Sequence, residues 1–316
     1  MIKLFLHSFS YRFHYRYKEG FDVNSFIDQA VRRGFSGVNI SAYGPEYREL
    51  SLGHPSHIAR LRDRIEAEGL LIDIETNGTS PTRLRTYLEL GAKLGATYLR
   101  IYTLHKGTPE ERVANTVKDL KAVLPIAEQC GIQIVIENHE DISAAETASV
   151  VQQLDSPHIG VLYDYGNSMT IQEDPIAALD ILLPWIRSAH LKDHLMLSAA
   201  DTGYEDPVVL GVPFGEGRLP IVEITRRLEA AGVDRVVCEN VWAYRTQVYG
   251  NRGGEALGSG VFEYGALNCD PAFHCLLPEI MAKKDPSRLV ALEETALDRA
   301  MARLRPALQG AGITTV

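Results

Sequence analysis

Along this chain of 316 residues, short apolar runs alternate with longer helical patterns eight times, and that rhythm limits the fold more than any single motif does. Strands separated by helices build a parallel sheet, and eight such units close a barrel wrapped by helices. Strands are expected near residues 2–7, 36–41, 70–75, 97–102, 132–137, 159–164, 186–191 and 235–240. Helices are expected between them, near 22–34, 56–68, 82–94, 110–130, 144–153, 174–184 and 218–231. Local signals agree. Asp22 stands where the first helix needs a cap, Gly34, Gly69, Gly131 and Gly232 follow helix ends, and Pro55, Pro81, Pro109 and Pro175 sit near helix starts. The expected fold is an α/β protein, a (β/α)8 or TIM barrel over 1–245, in a single domain. The remainder, 246–316, is expected as a glycine-rich loop (249–271) and a helical tail near 273–284 and 288–305 that complete it. A loop of that length serves as a lid, a binding loop or an interface arm.

Four of the expected strands close on a residue type that binds metal: IQIVIE on Glu137, IGVLYD on Asp164, IRSAH on His190 and VVCE on Glu239. Barrel enzymes assemble their chemistry at the C-terminal ends of the strands. Side-chain alternation puts Glu137 on one face with Gln133 and Val135, His190 with Ser188, and Glu239 with Val237, leaving Cys238 to face the helices. All four can therefore face the barrel axis. Three carboxylates and one imidazole make a hard, mostly oxygen site, which suits Mn2+ first, Mg2+ or Co2+ next, and leaves Zn2+ open. For any one carboxylate the competing role is a helix cap or an ion pair with Lys or Arg.

Composition narrows the partners. The formal net charge of -9 repels phosphate backbones, and no Lys/Arg run with interleaved aromatics offsets it. Nucleic acid is not expected. MIKLFLHSFSYRF reads as a first strand rather than a signal peptide, and no run approaches the ~18 apolar residues of a membrane span. A cytoplasmic protein acting on small molecules is expected. The four cysteines (130, 238, 269, 275) form no CxxC, and the spacing of Cys269, His274 and Cys275 is not a usual zinc pattern. Gly215 and Gly217 form no dinucleotide fingerprint, since no GxGxxG opens a helix after the first strand.

Five segments carry a family resemblance: VIENH (135–139), the strand ending in Asp164, AHLKDH (189–194), PFGEGRLP (213–220) and VVCENVW (236–242). With the βα rhythm, roughly residues 1–245 resemble xylose isomerase-like barrels of the sugar phosphate isomerase/epimerase group, whose members include ketose 3-epimerases, inosose isomerases and dehydratases, and endonuclease-IV-like proteins. The resemblance implies that the metal ligands are Glu137, Asp164, His190 and Glu239, with the two glutamates as a proton-transfer pair. One departure stands out: many epimerases carry a histidine three residues after the strand-six aspartate, where this chain has Asn167. The acidic charge and the shortage of strand-end histidines argue against the endonuclease branch. The VIENH segment is also similar to the barrel subunits of C-glycoside deglycosidases.

Such a site predicts proton abstraction next to a carbonyl. Return of the proton to the other face gives an epimerase, return to the neighbouring carbon an isomerase, and loss of a β substituent a lyase or dehydratase; site chemistry alone does not separate them. His139, two residues beyond Glu137 and on its face, is the candidate base for the lyase branch or else a partner that orients Glu137. Lys192 shares the face of His190 and can bind a substrate oxygen or pair with carboxylates. Glu75, Asn167 and Tyr11, the last within an aromatic run with Phe13, Tyr15 and Tyr17, are further candidates for holding the substrate, against plain packing roles. The substrate is expected to be a sugar or keto sugar, and the chain to form a homo-oligomer or to pair with a second subunit. A barrel that binds a sugar or partner without turnover is the alternative of a different class.

Overall fold

The computed structural model describes residues 1–43, 50, 55–266, 270, 272–276 and 285–316. Eight strands close a parallel barrel: β1 (Lys3–His7), β2 (Gly37–Ser41), β3 (Leu71–Glu75), β4 (Tyr98–Ile101), β5 (Gln133–Glu137), β6 (Ile159–Asp164), β7 (Ile186–Leu191) and β10 (Arg235–Cys238). Around the barrel they run β1-β10-β7-β6-β5-β4-β3-β2. The chain is a TIM barrel. Helices α2 (Val23–Arg32), α3 (Pro55–Ala67), α4 (Pro81–Leu94), α5 (Pro109–Cys130), α6 (Ala144–Leu154), α7 (Pro175–Leu182) and α9 (Ile221–Ala230) lie between the strands. Caps fix their starts: the Asp22 carboxylate accepts the Ser25 N–H, and Thr108 with Glu111 and Ser143 with Glu146 form reciprocal capping boxes.

Alternation along the strands sorts two interiors. One set of side chains, including Leu4, Leu6, Val38, Ile40, Ile72 and Ile74, packs with Phe26, Ile27, Leu61, Leu84 and Leu88 in a single buried core. The other set fills the barrel, and its polar members meet at the strand N-termini. There Asp73 Oδ1 and Oδ2 each lie 3.1 Å from Arg235 Nη1, and that guanidinium covers the rings of Phe5 and Tyr98 at 5.1 and 4.5 Å. This pair closes the bottom of the barrel, leaving the C-terminal ends as the place for a site.

Three features depart from expectation. The stretches on either side of the expected helix near 218–231 and strand near 235–240 are not all connection: β8 (His194–Leu197), β9 (Val208–Gly211) and β11 (Arg245–Gln247) form a separate antiparallel sheet, because buried apolar runs there find each other rather than the barrel. The aromatic run after β1 is largely helical, as a 3-10 turn (Ser8–Tyr11) and α1 (Arg12–Tyr17). The tail is one long helix, α10 (Pro286–Gly310); of the earlier piece expected near 273–284, residues 273–276 form no helix and 277–284 lie outside the described residues, as does Cys269. Short α8 (Ala199–Thr202) follows β8.

The end of the chain is tied to the barrel twice. The Ile2 N–H donates to the Thr314 carbonyl, the Val316 N–H to the Ile2 carbonyl and the Leu4 N–H to the Val316 carbonyl, at 2.8–3.0 Å. Inside α10, the buried Glu293 carboxylate accepts the Phe13 and His14 N–H groups at 2.8 and 2.9 Å and meets His14 Nδ1 at 2.7 Å. Glu293→Ala strands those donors and should lower unfolding stability by about 2–4 kcal/mol in urea titrations. A loss below about 1 kcal/mol would show that α10 docks by its apolar face alone.

Candidate functional site

Strands β5, β6, β7 and β10 are neighbours in the barrel, so their ends form one wall. Glu137 and Asp164 are the last residues of β5 and β6, His190 is the penultimate residue of β7, and Glu239 directly follows β10. Register does the rest: Asp164 pairs with His190, made possible by an irregularity between Val161 and Leu162, and His190 pairs with Val237 on the other side. All four side chains are buried. His190 Nδ1 lies 3.2 Å from Glu137 Oε1, 3.4 Å from Glu239 Oε2 and 3.9 Å from Asp164 Oδ2. Within mutual reach of a single ion the atoms fall into two overlapping groups, Glu137, Asp164 and His190, and His7, His190 and Glu239.

The facing strands contribute residues that the strand-end reading passed over. His7 ends β1, and its Nε2 is 2.8 Å from Glu75 Oε1 at the end of β3. Arg100, inward on β4, bonds Glu137 and lies 3.5 Å from Glu75 Oε2. Ser41 at the end of β2 also bonds Glu75. The signal for His7 and Arg100 was present, since FLH and YLRI are strand runs of the same kind. A lone His or Arg, however, carries no ligand pattern by itself.

Charge governs this pocket. Burial disfavours the ionised form of every carboxyl in it. At Glu75 the charges of His7 and Arg100 outweigh burial and hold the pKa far down. At Glu137 the Arg100 guanidinium does so, and at Glu239 the Lys192 ammonium and His7 lower it to about 2. At Asp164 burial prevails and, with Lys192 opposing and Glu137 and Glu239 reinforcing, pushes it up to about 8. Burial lowers His190, keeping the imidazole neutral and its nitrogen lone pair available.

Above this wall lies a cavity of about 240 Å3 lined by His7, Phe9, Ser41, Tyr43, Glu75, Arg100, Tyr102, His139, Glu140, Asn167, Lys192, Glu239, Val241 and Tyr244. It thus brings together Glu75, His139, Asn167, Lys192 and Glu239 of the expected residues, with Glu137, Asp164 and His190 buried behind them. His139 stacks on Tyr102, with ring centroids 3.9 Å apart and planes within 11°. Burial, aided by Arg100 and Lys192, lowers its pKa, so near neutrality it is an unprotonated base. Tyr11 is the exception. It is absent from the cavity wall; its ring is fully buried against Phe21 and Phe26 and its hydroxyl donates to Gln29, because the aromatic run coils back onto α2 instead of lining the barrel mouth.

PFGEGRLP serves as scaffold. The buried Asp193 carboxylate accepts N–H groups from Gly215, Gly217, Leu219 and His194 at 2.8–3.2 Å. A side chain at Gly217 would meet Asp193 Oδ1 at 2.0 Å, so glycine is required there. On the far rim Glu140 takes hydrogen bonds from Tyr244, Thr246 and Tyr249, and Arg252 bonds Glu146 and the Asp141 carbonyl, which fastens the start of the 249–271 loop over β5 and α6.

The residues present fit a divalent cation. Glu137 Oε1, Asp164 Oδ2, His190 Nδ1 and Glu239 Oε2 are buried, and none makes a regular hydrogen bond. Buried atoms of this kind call for a partner. Four buried carboxyl groups, Glu75, Glu137, Asp164 and Glu239, face two permanent cations, Arg100 and Lys192, so that with Asp164 ionised the cluster is short of two positive charges before the histidines are counted.

Known proteins share this architecture. The chain is 26% identical over 195 residues, 61% of its length and 68% of the relative's, to a 3-oxo-isoapionate decarboxylase of Pectobacterium atrosepticum. Among solved structures, D-psicose 3-epimerase in the presence of D-fructose superposes with a TM-score of 0.64 at 15% identity, covering 97% of this chain and 99% of that one. The IolI protein, described with a bound zinc atom, does so with a TM-score of 0.61 at 17% identity, covering 76% and 89%. Residues 27–257 match the model of the xylose isomerase-like TIM barrels, and with eight parallel strands closed in that order the chain belongs to that family.

Proposed function

We propose that this protein is a divalent-metal-dependent sugar isomerase or epimerase. The observation that carries this reading is the convergence of four buried donor atoms that make no regular hydrogen bond, on four adjacent strand ends, beside a cavity of monosaccharide scale. At about 240 Å3 the cavity is smaller than the ~300–1,000 Å3 of typical ligand sites, which favours a free sugar over a glycoside carrying a large aglycone. Structural neighbours named for ketose 3-epimerases and a relative named for a keto-acid decarboxylase support carbohydrate chemistry beside a carbonyl.

Glu137, Asp164, His190 and Glu239 would hold the ion, with Mn2+ preferred by the oxygen-rich set and Zn2+ open, as the zinc reported for IolI allows. When bound, it supplies electrostatic stabilisation of the negative charge that develops on substrate oxygens. The chain's own groups do the rest. Glu137 and Glu239, on strands separated by β6 and β7, take a proton from the carbon beside the carbonyl and return one. Lys192 and Asn167 orient oxygens from the cavity wall, and Arg100 and His190 hold Glu137 ionised and ready to accept. Tyr102 fixes the His139 ring as a second proton acceptor.

A second reading has one specific support. Arg100 and Lys192, both buried and both on the cavity, can hold a substrate carboxylate, and loss of CO2 from a 3-oxo acid leaves its bonding electrons as the same kind of enolate. The relative named as a 3-oxo-isoapionate decarboxylase fits it.

Three measurements test the reading. Metal-stripped protein should take up one divalent ion per chain, and Asp164→Ala or His190→Ala should weaken binding by at least roughly a hundredfold, the upper end of losses seen for outer-shell partners; stoichiometric binding by both variants would sink the ligand set. In D2O, deuterium should enter a ketose substrate at carbon, slowed by about 10²–10⁴ in Glu137→Gln and Glu239→Gln with metal content measured alongside. Wild-type exchange rates in both variants exclude the pair. Product analysis separates the branches: free ketoses should interconvert without losing any group, and His139→Ala should only slow the reaction. Aglycone release from 3-keto glycosides that depends on His139, or CO2 release from 3-oxo sugar acids, moves the protein to the lyases.

A further inference from the structure

Lys192 occupies an unusual position for a lysine. It follows β7 directly, is 7% exposed, and its Nζ lies 2.8 Å from Asp164 Oδ2 and 3.0 Å from Glu239 Oε2. Those are two of the four ligand atoms, the same oxygens that face His190 Nδ1. For Asp164 the overlap is unavoidable. Its other oxygen, Oδ1, already accepts the Gly166 and Asn167 N–H groups at 2.9 Å each, which anchors the 3-10 turn after β6. Any cation that uses Asp164 must therefore share Oδ2 with the lysine.

From this geometry we infer that Lys192 is a built-in counter-ion which holds the place of the divalent cation and withdraws toward Asn167 when the ion binds. The inference rests on the metal reading above. An ammonium and a dication on one buried carboxylate oxygen repel each other strongly even at the effective dielectric of a protein interior. The lysine has somewhere to go. Asn167 Oδ1, a neutral acceptor on the cavity wall, is already 3.4 Å from Nζ, and it is the partner with which Nζ makes a regular hydrogen bond. Its backbone does not need to move, since the next residue, Asp193, is locked by four backbone N–H groups. Withdrawal carries the ammonium into the cavity, where it meets a substrate oxygen. Metal loading and construction of the substrate site are then one event, and in the metal-free barrel Asp164 and Glu239 keep a cationic partner.

The test compares stripped wild type with Lys192→Met by calorimetric titration with Mn2+ and by thermal unfolding with and without Mn2+. Lys192→Met should bind Mn2+ at least tenfold more tightly, melt lower than wild type when stripped, and show a larger rise in Tm on loading. Equal or weaker binding by a folded Lys192→Met overturns the inference and leaves the metal site standing. Absence of binding in both proteins overturns the inference together with the metal reading. If Lys192→Met folds only with Mn2+, that is the same destabilisation at its limit and supports the inference. If it folds in neither condition, Lys192→Gln is titrated instead and read by the same criterion, and failure of that variant to fold as well marks Lys192 as scaffold and overturns the inference. In a crystal of the Mn2+-loaded protein, Nζ should lie closer to Asn167 Oδ1 than to Asp164 Oδ2; an ammonium still seated on Asp164 contradicts the withdrawal.

Discussion

Four carboxylates converge at one end of a barrel whose walls exclude water, and the rest of the structure is arranged around that concentration of charge. Removing a carboxylate from water is costly unless hydrogen bonds or cations replace its hydration. Here Arg100 serves Glu75 and Glu137, Lys192 serves Asp164 and Glu239, and His7 serves Glu75. The protection is incomplete. One acid, Asp164, is driven up to about 8, and four ligand atoms lack regular hydrogen bonds. A folded chain tolerates such an arrangement where function requires it, and a site short of positive charge and lined by hard donors is suited to a divalent cation.

The scaffold around the cluster is built to keep it rigid. Asp193 draws PFGEGRLP around itself and fixes the start of β8, so the neighbouring Lys192 leaves the barrel in one direction. At the opposite end, Asp73 and Arg235 fill the barrel floor, which confines the open volume to the C-terminal mouth. Glu140 collects three hydroxyls from the segment after β10 and places Tyr244 on the cavity wall.

Epimerisation, isomerisation, elimination and decarboxylation beside a carbonyl all pass through an enolate-like state, so one fold can serve all of them. What distinguishes them is which bond is held beside a proton acceptor. In this chain the groups proposed as proton acceptors differ in kind. Glu137 and Glu239 are held ionised by cations, whereas His139 is held neutral by burial against Tyr102.

The barrel was legible in the sequence because its determinants are local. Period-two runs such as IQIVIE and IGVLYD, the caps at Asp22, Thr108 and Ser143, and the glycines that stop the helices each act within a few residues. The strand-end positions of Glu137, Asp164, His190 and Glu239 followed from the same local pattern, since the C-terminal end of a barrel strand always points to one face of the molecule. Other features depended on neighbours far away in the chain. That Arg100 grips Glu137, that His7 meets Glu75, and that Lys192 lies on Asp164 and Glu239 follow from which strands adjoin and in what register, and no run of residues encodes that separately. Tyr11 shows the same limit from the other side. An aromatic beyond β1 reads equally as a sugar platform or as packing, and only the path of the chain, turning it against Phe21 and Phe26, made it core. Secondary structure and the placement of strand-end side chains are one-dimensional properties, whereas the balance of charge in a pocket is set by side chains that only the closed barrel brings within a few ångströms of one another.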